Sequence, residues 1–292
     1  MPPLKIWLMA SRPKTLPAAV APVAIGLAMA YADGAFSPLI AAATLLGALF
    51  IQIGTNFAND YFDFMHGTDT DERLGPTRVT QAGLVSLRGM RWATALSFLI
   101  AAAFGAVLVY YGGWPILLIG ILSILAGVLY TAGPFPLGYI GLGDILVLIF
   151  FGFVAVGGTY YLQTGTLNTA VLIAGAGPGL LSTAILAVNN LRDRETDVKT
   201  GKRTLAVRFG ARFARYEYLL SVLITGCIPV ALCLMTKDHY AALASVPVLL
   251  LTVPSIKQVF RRESGPELNS VLGETGRALF LFSIIFSLGW ML

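Results

Sequence analysis

The residues best suited to chemistry in this chain are two groups of aspartates and asparagines. Within each group the residues recur at intervals of three or four, which places them on one face of a helix. The groups are Asn56, Asn59, Asp60 and Asp63, and then Asn190, Asp193 and Asp197. Carboxylate and amide oxygens suit hard divalent cations, and Mg2+ takes one or two carboxylates and completes its shell with water and phosphate oxygens. The spacing therefore predicts two helical stripes that hold Mg2+ against a diphosphate.

Basic residues follow each stripe within a few positions. Arg73 and Arg78 lie in "ERLGPTRVTQ", and Lys199, Lys202 and Arg203 lie in "DVKTGKRT". A glycine beside a basic residue lets the backbone approach an anion while the side chain contacts its oxygens, and arginine can do so through two parallel hydrogen bonds. We expect these residues to bind the diphosphate.

The composition indicates which solvent surrounds the stripes. Of the 292 residues, 57% are hydrophobic and 12% are charged, whereas a soluble domain has roughly 45–50% apolar and about 25% charged residues. Uncharged runs occupy 15–32, 34–59, 92–143, 145–191, 218–236, 239–256 and 278–292. Gly112–Pro115 and the polar "QTGTLN" at 163–168 divide the two longest runs. Because a spanning helix needs roughly 20 residues, we expect about nine transmembrane helices in one all-α membrane domain over 1–292.

The basic residues indicate the orientation. With nine passes, all of the 20 Lys and Arg residues except Lys237 fall on one side, which the positive-inside rule assigns to the cytoplasm. The N-terminus is then cytoplasmic, and the net charge of +5 reflects topology, so that no nucleic-acid partner is predicted. A signal peptide is the competing interpretation of the first segment, but that segment is long and continues into a polytopic chain.

The two stripes lie at the cytoplasmic ends of the second and sixth predicted helices. This is the arrangement expected of two halves of a pseudo-repeat that face each other. Carboxylates at a membrane edge are costly and functional by default, and because they repel each other a cation must lie between them. A secondary transporter also shows repeats and intramembrane charge, but its site lies near the bilayer midplane. The edge location disfavours transport.

The motifs resemble those of a known family. "NDYFD", with Asp69 beyond it, resembles the first aspartate-rich motif of the UbiA superfamily of intramembrane prenyltransferases, and "DRETD" resembles the second. Three longer segments are similar to the branch that prenylates 1,4-dihydroxy-2-naphthoate in menaquinone synthesis. They are "TNFANDYFDFMHGTDTDERLGPTRVTQAGL", "GPFPLGYIGLGD" and "NNLRDRETDVKTGKRTLAVRFG".

The resemblance implies a nine-helix fold around a central cavity, in the inner (plasma) membrane of a bacterium. Two cytoplasmic cap loops, at 59–91 and 189–213, would carry the motifs. The implied metal ligands are Asn59, Asp60, Asp63, Asn190, Asp193 and Asp197, with Asp69 as a further candidate, and Arg78 and Lys202 would bind diphosphate oxygens. The implied reaction moves a polyprenyl group from polyprenyl diphosphate to the naphthoate with loss of carbon dioxide, giving a demethylmenaquinone. The four aspartates at positions 60, 63, 193 and 197 would be the catalytic residues.

The chain departs from the wider superfamily at two places. Many members have an aspartate where this chain has Gly67, and the naphthoate branch shares the shifted position of Asp69. Some relatives also carry a Tyr-x-x-x-Lys element after the fourth helix, whereas Tyr130 here has no such lysine partner. 4-Hydroxybenzoate remains the alternative acceptor. A CDP-alcohol phosphatidyltransferase is disfavoured because its compact Asp-Gly…Ala-Arg signature is absent from the sequence.

The segment "YTAGPFPLGYIGLGD" at 130–144 contains too much Gly and Pro for a helix and has no Lys or Arg. It is therefore predicted to be a loop that lines the cavity near the acceptor. The candidate cavity residues are Asn56, Tyr130, Tyr139, Asp144 and Tyr160.

Overall fold

The computed structural model describes residues 3–68, 74–262 and 264–292, and these contain helices, turns and no strand. The longer elements are α1 (Pro3–Ser11), α2 (Pro17–Ala32), α3 (Pro38–Met65), α4 (Leu87–Leu129), α5 (Gly143–Leu148), α6 (Ala155–Thr164), α7 (Thr169–Lys199), α8 (Leu205–Thr236), α9 (Val253–Arg261) and α10 (Leu268–Met291). A six-residue π-helical segment, Ile149–Val154, joins α5 to α6, and a 3-10 helix, Tyr240–Thr252, precedes α9.

Seven of the described helices are long and apolar enough to span a membrane, or eight when the bent pair Pro3–Thr15 and Pro17–Ala32 counts as one span. The predicted number of about nine is therefore not confirmed. The difference lies in α4, a 43-residue stretch in which the non-helical backbone of Gly113 (φ 69°, ψ −158°) separates two helices. That break falls where the sequence predicts a turn between two spans.

Other predicted boundaries are confirmed. Helix α6 ends at Gly165, whose φ of 73° caps the helix, and α7 begins after Asn168, whose side chain accepts a hydrogen bond from the Val171 N–H. Both motif-bearing helices continue through their stripes, α3 to Met65 and α7 to Lys199. The segment expected to be a loop at 189–213 is instead mostly helical. Helix α7 ends at Lys199 and α8 begins at Leu205, so that only five residues lie between the two helices.

The helices pack through a shared core and through glycine contacts. Leu181 and Val188 of α7 lie in one buried cluster with Tyr218 of α8 and Leu279 of α10. The π-helical segment meets α7 at Gly152, where an added Cβ would lie 2.7 Å from the Gly175 carbonyl oxygen and 3.1 Å from the Gly179 Cα. Since small residues let membrane helices approach closely, this contact fixes the distance between α7 and the span Gly143–Thr164. We call this span, made of α5, the π-helical segment and α6, the fifth span, because it is the fifth when the two halves of α4 are counted separately.

Replacing Gly152 with Ala is expected to destabilise the protein by about 1–3 kcal/mol, because the new methyl group overlaps backbone atoms that cannot move aside. The measurement is the temperature at which detergent-solubilised protein loses its monodisperse gel-filtration peak. Gly105→Ala is the control, since no heavy atom lies within 4 Å of the added Cβ. Equal melting temperatures for the two variants would contradict the close contact.

Candidate active site

A cavity of about 840 Å³ opens between α2, α3, α4, the fifth span and α7. Most of its wall is apolar and includes Ile119, Phe150, Phe151 and Leu162. At the end where α3 and α7 carry their stripes the wall becomes polar. Ten of the predicted site residues line the cavity, namely Asn56, Asn59, Asp63, Arg78, Tyr130, Tyr139, Asn190, Asp193, Asp197 and Lys202.

Asp63 is the most heavily bonded carboxylate of this polar end. Arg78 Nη2 lies 2.5 Å from Asp63 Oδ2, and the Tyr139 hydroxyl donates to Oδ1 at 2.5 Å. Both Asp63 and Arg78 are buried. A buried carboxylate keeps its charge only when a cation and hydrogen bonds replace the lost water, so the loop that carries Arg78 must close over α3.

Lys202 provides the cation between the two stripes in this structure. Its Nζ lies 3.9 Å from Asp63 Oδ1 and 3.9 Å from Asp197 Oδ1, and it also lies 4.5 Å from the centre of the Tyr139 ring. Lys202 follows Gly201, whose φ of 76° makes the turn that ends α7. The stripes of α3 and α7 therefore face each other, as the pseudo-repeat predicts.

Asp193 is held by its neighbour in the chain. Arg192 Nε and Nη2 lie 2.8 and 2.5 Å from the two oxygens of Asp193. The same guanidinium donates to Asn189 Oδ1 and to Asn269 Oδ1, both at 2.8 Å. Arg192 directly precedes the second motif, but the sequence analysis attributed its charge to topology, and Asn269 belongs to no recognisable motif.

Asp60 has a different position from the other aspartates. It is 2% exposed, and its two oxygens accept the backbone N–H groups of Val79 and Thr80 at 3.1 Å. Asp60 is not part of the cavity wall. Its carboxylate thus holds the loop that brings Arg78 to Asp63, and its role as a metal ligand stays a prediction.

Two candidate cavity residues lie elsewhere than predicted. The Tyr160 hydroxyl donates to Asp33 Oδ2 at 2.5 Å and accepts from Asn168 Nδ2 at 3.0 Å, at the end of α6 remote from the stripes. Tyr160 faces a buried cluster with α2 and α7 and not the cavity. Asp144 is buried at the start of α5 and is also outside the wall, although Gly143 beside it lies against the Tyr130 hydroxyl.

The remaining candidates are less directly placed. Lys199 is the last residue of α7, and Arg203 lies in the short connection to α8. Neither residue lines the cavity. The Arg203 N–H donates to the Tyr139 carbonyl at 2.6 Å, which fixes the tyrosine above Lys202.

Asp69 and Arg73 lie outside the described residues. Arg12 and Lys14, which the sequence assigns to topology, do line the cavity.

Tyr130 and Asn59 form the wall beside Asp63. The Thr131 hydroxyl donates to Asn59 Oδ1 at 3.0 Å. Burial, and then the negative charges of Asp144 and Asp63, raise the pKa of the Tyr130 hydroxyl. Tyr130 therefore stays protonated at neutral pH and serves as a neutral hydrogen-bonding group.

The oxygen donors at this end fit Mg2+. Among the residues that the structure describes, no three His, Cys, Asp or Glu side chains are grouped closely enough to hold a metal ion. Mg2+ does not need such a cage, since it binds through one or two carboxylates together with water and substrate phosphate. Asp63, Asp193 and Asp197, with the amide oxygens of Asn59 and Asn190, provide these donors.

A model of the UbiA prenyltransferase family matches residues 19–287 of the chain. The chain belongs to this family. It is 38% identical over 302 residues to the 1,4-dihydroxy-2-naphthoate octaprenyltransferase of Haemophilus influenzae, covering 99% of this chain and 96% of that protein. The protein of the same name from Escherichia coli is 38% identical over 293 residues, covering 97% and 94%. The prediction of a membrane-embedded UbiA prenyltransferase is thus confirmed.

The fold agrees with solved structures of UbiA proteins. The structure of a UbiA homolog from Archaeoglobus fulgidus bound to DMAPP and Mg2+ matches with a TM-score of 0.70 at 18% identity, over 98% of each chain. The predicted all-α polytopic fold is confirmed by this likeness.

Replacing Lys202 with Met in this UbiA prenyltransferase is expected to tighten Mn2+ binding about tenfold in the absence of substrate, because a competing cation between two carboxylates is removed. Mn2+ prefers the same oxygen ligands as Mg2+, and its free fraction is measured by electron paramagnetic resonance. Lys257→Met, on the exposed side of α9, is the control. Unchanged or weaker binding in Lys202→Met would show that Lys202 does not occupy the metal position.

Proposed function

We propose that the protein transfers a polyprenyl group from polyprenyl diphosphate to 1,4-dihydroxy-2-naphthoate, with loss of carbon dioxide and diphosphate, and gives a demethylmenaquinone in its reduced, quinol form. The observation that carries this proposal is the pairing of Asp63 and Asp197 across Lys202 at the polar end of an apolar cavity. Two relatives that share 38% identity over nearly their whole length are named for the naphthoate reaction. The Archaeoglobus fulgidus homolog binds DMAPP and Mg2+, which supports the same donor and metal classes here.

The charges at the polar end favour an anionic donor. Five basic side chains and three carboxylates belong to the described cavity wall. They are Arg12, Lys14, Arg78, Arg192 and Lys202, and Asp63, Asp193 and Asp197. An excess of positive charge in a cleft with apolar walls attracts and holds anions, such as a diphosphate and the carboxylate of a naphthoate.

Residues of this chain have separate parts in the reaction. Lys202 turns from its two carboxylates towards the diphosphate oxygens, and Arg78 contacts those oxygens while it stays bonded to Asp63. Asp63, Asp193 and Asp197 would hold Mg2+. Mg2+ bound by these residues would stabilise the charge that develops on the leaving diphosphate. Phe150, Phe151 and their apolar neighbours exclude water from the allylic carbon, and an aromatic face can stabilise the positive charge there. The electron-rich acceptor ring then forms a C–C bond to that carbon, whose bond to the diphosphate oxygen has broken, and the ring loses its carboxylate as carbon dioxide.

We further propose that the polar end faces the cytoplasm of a bacterium, beneath a cap made from 59–91 and 189–213. The distribution of basic residues supports this orientation, because Lys237 alone of the 20 Lys and Arg residues falls on the opposite side when nine passes are counted. The lipid bilayer then supplies the long-chain donor and accepts the product.

Turnover on membranes that contain the protein tests the proposal. We expect a labelled polyprenyl diphosphate to prenylate 1,4-dihydroxy-2-naphthoate with Mg2+ and not with EDTA. Transfer to 4-hydroxybenzoate alone would keep the donor and metal but change the acceptor. The absence of transfer to either acceptor, in a folded sample, would overturn the proposed reaction.

Asp63→Asn and Asp193→Asn are expected to lower Mg2+-dependent turnover by at least about a hundredfold, since each removes a charged ligand of the metal. Asp238→Asn is the matched control, because Asp238 is exposed at the opposite end of α8. Gel filtration and thermal unfolding show whether the variants keep the fold. Full activity in either motif variant would exclude that aspartate from the metal site.

A further inference from the structure

Arg192 is buried more completely than any other charged side chain of the described chain, with 1% of its surface exposed. Burying an arginine is costly unless its donors find acceptors. Nε, Nη1 and Nη2 all do so, through Asp193, Asn269 and Asn189. The guanidinium is therefore fixed in one orientation by acceptors on two sides.

One of these acceptors, the Asn269 side chain, comes from a remote part of the sequence. Asn269 stands in the first turn of α10, 77 positions after Arg192. Its Oδ1 accepts from Arg192 Nη1, and its Nδ2 donates to the Leu74 carbonyl at 2.8 Å. One amide side chain thus joins α10 to the second motif on α7 and to the loop that follows the first motif.

The two hydrogen bonds from the Arg192 guanidinium fix the orientation of the Asp193 carboxylate, and with it the direction of the lone pairs that remain. A carboxylate has about four acceptor positions, and two are used by Nε and Nη2. The positions left over point away from Arg192, and Asp193 lines the cavity. Groups that hydrogen-bond to metal ligands orient them, and their removal typically costs about 10–100-fold in metal affinity or activity.

We propose that Asn269 is a positioning residue, which fixes Asp193 for Mg2+ through Arg192 and anchors the end of the first motif's loop through the Leu74 carbonyl. This inference rests on the proposed function only in taking Asp193 as a metal ligand. It links α10, which carries neither aspartate motif, to the loop after the first motif and to the arginine directly before the second.

Asn269→Leu removes both hydrogen bonds while keeping a similar side-chain volume. We expect it to weaken Mn2+ binding, measured by paramagnetic resonance without substrate, about tenfold. The Mg2+ concentration for half-maximal turnover rises by the same factor, whereas kcat at saturating Mg2+ is retained. A merely structural defect would lower kcat or the melting temperature instead. Ser270→Ala, next in the chain and exposed, is the control.

Asn269→Asp separates the two bonds. It keeps an acceptor for Arg192 but has no donor for the Leu74 carbonyl. We expect Mn2+ affinity close to that of the unmodified protein, together with faster proteolytic cleavage near position 74. Equal protease sensitivity of Asn269→Asp and Ser270→Ala would exclude the anchoring role.

Unchanged Mn2+ affinity in Asn269→Leu would overturn the positioning role. If Asn269→Leu does not fold, Arg192→Lys replaces it, because lysine keeps the charge but loses the fork, and it must show the same weakening. Asp193→Asn tells a failure of this inference from a failure of the metal site. If Asp193→Asn weakens Mn2+ binding and the Asn269 or Arg192 variant does not, only the positioning role is wrong. If Asp193→Asn also leaves Mn2+ binding unchanged, Asp193 is not a metal ligand and the metal site itself is wrong.

Discussion

The repulsion among three carboxylates at the edge of an apolar cavity is the constraint on which the rest of the structure depends. Asp63, Asp193 and Asp197 end two helices that face each other, and lipid-facing helices on the outside leave little water to screen them. Each carboxylate is balanced by a cation from a different segment: Arg78 from the loop after α3, Arg192 from α7 and Lys202 from the turn before α8. The closure of the segments that carry Arg78 and Lys202 over the helix ends follows from that requirement.

The contacts of the three cations differ in kind, and this difference explains how a site can be stable and still accept a ligand. Arg78 and Arg192 make short hydrogen bonds to their carboxylates. Lys202 lies at 3.9 Å from both of its carboxylates, beyond hydrogen-bonding distance. It is held by charge attraction to the two carboxylates and by the Tyr139 ring, so that it can turn towards an incoming phosphate without breaking a hydrogen bond to either carboxylate. The two arginines form the fixed part of the site and the lysine forms the adaptable part.

Much of this arrangement could be predicted from the sequence, because it is local. The spacing of Asp60 and Asp63 required a helix through the motif, and the turn residues of 130–144 required a loop. What failed needed information from other parts of the chain. Tyr160 was assigned to the cavity from its residue type, but its partner Asp33 lies 127 positions away. Asn269 belongs to no spaced pattern of polar residues that would mark it in the sequence. Its contacts, Arg192 and Leu74, lie far from it along the chain. The helix count depends on Gly113, whose non-helical backbone separates two helices within α4.

The π-helical segment at Ile149–Val154 has a geometric consequence for the wall beside it. Wall residues of the fifth span come in adjacent pairs that recur every fourth position, namely Leu146 and Val147, Phe150 and Phe151, Val154 and Ala155, and Gly158 and Thr159. In a regular helix with 3.6 residues per turn, a four-residue repeat would drift around the axis. The wider turn of the π-helix compensates for that drift, because each of its turns takes up more residues. The paired side chains therefore stay on the face of the span that lines the cavity, where a hydrocarbon chain can lie against them.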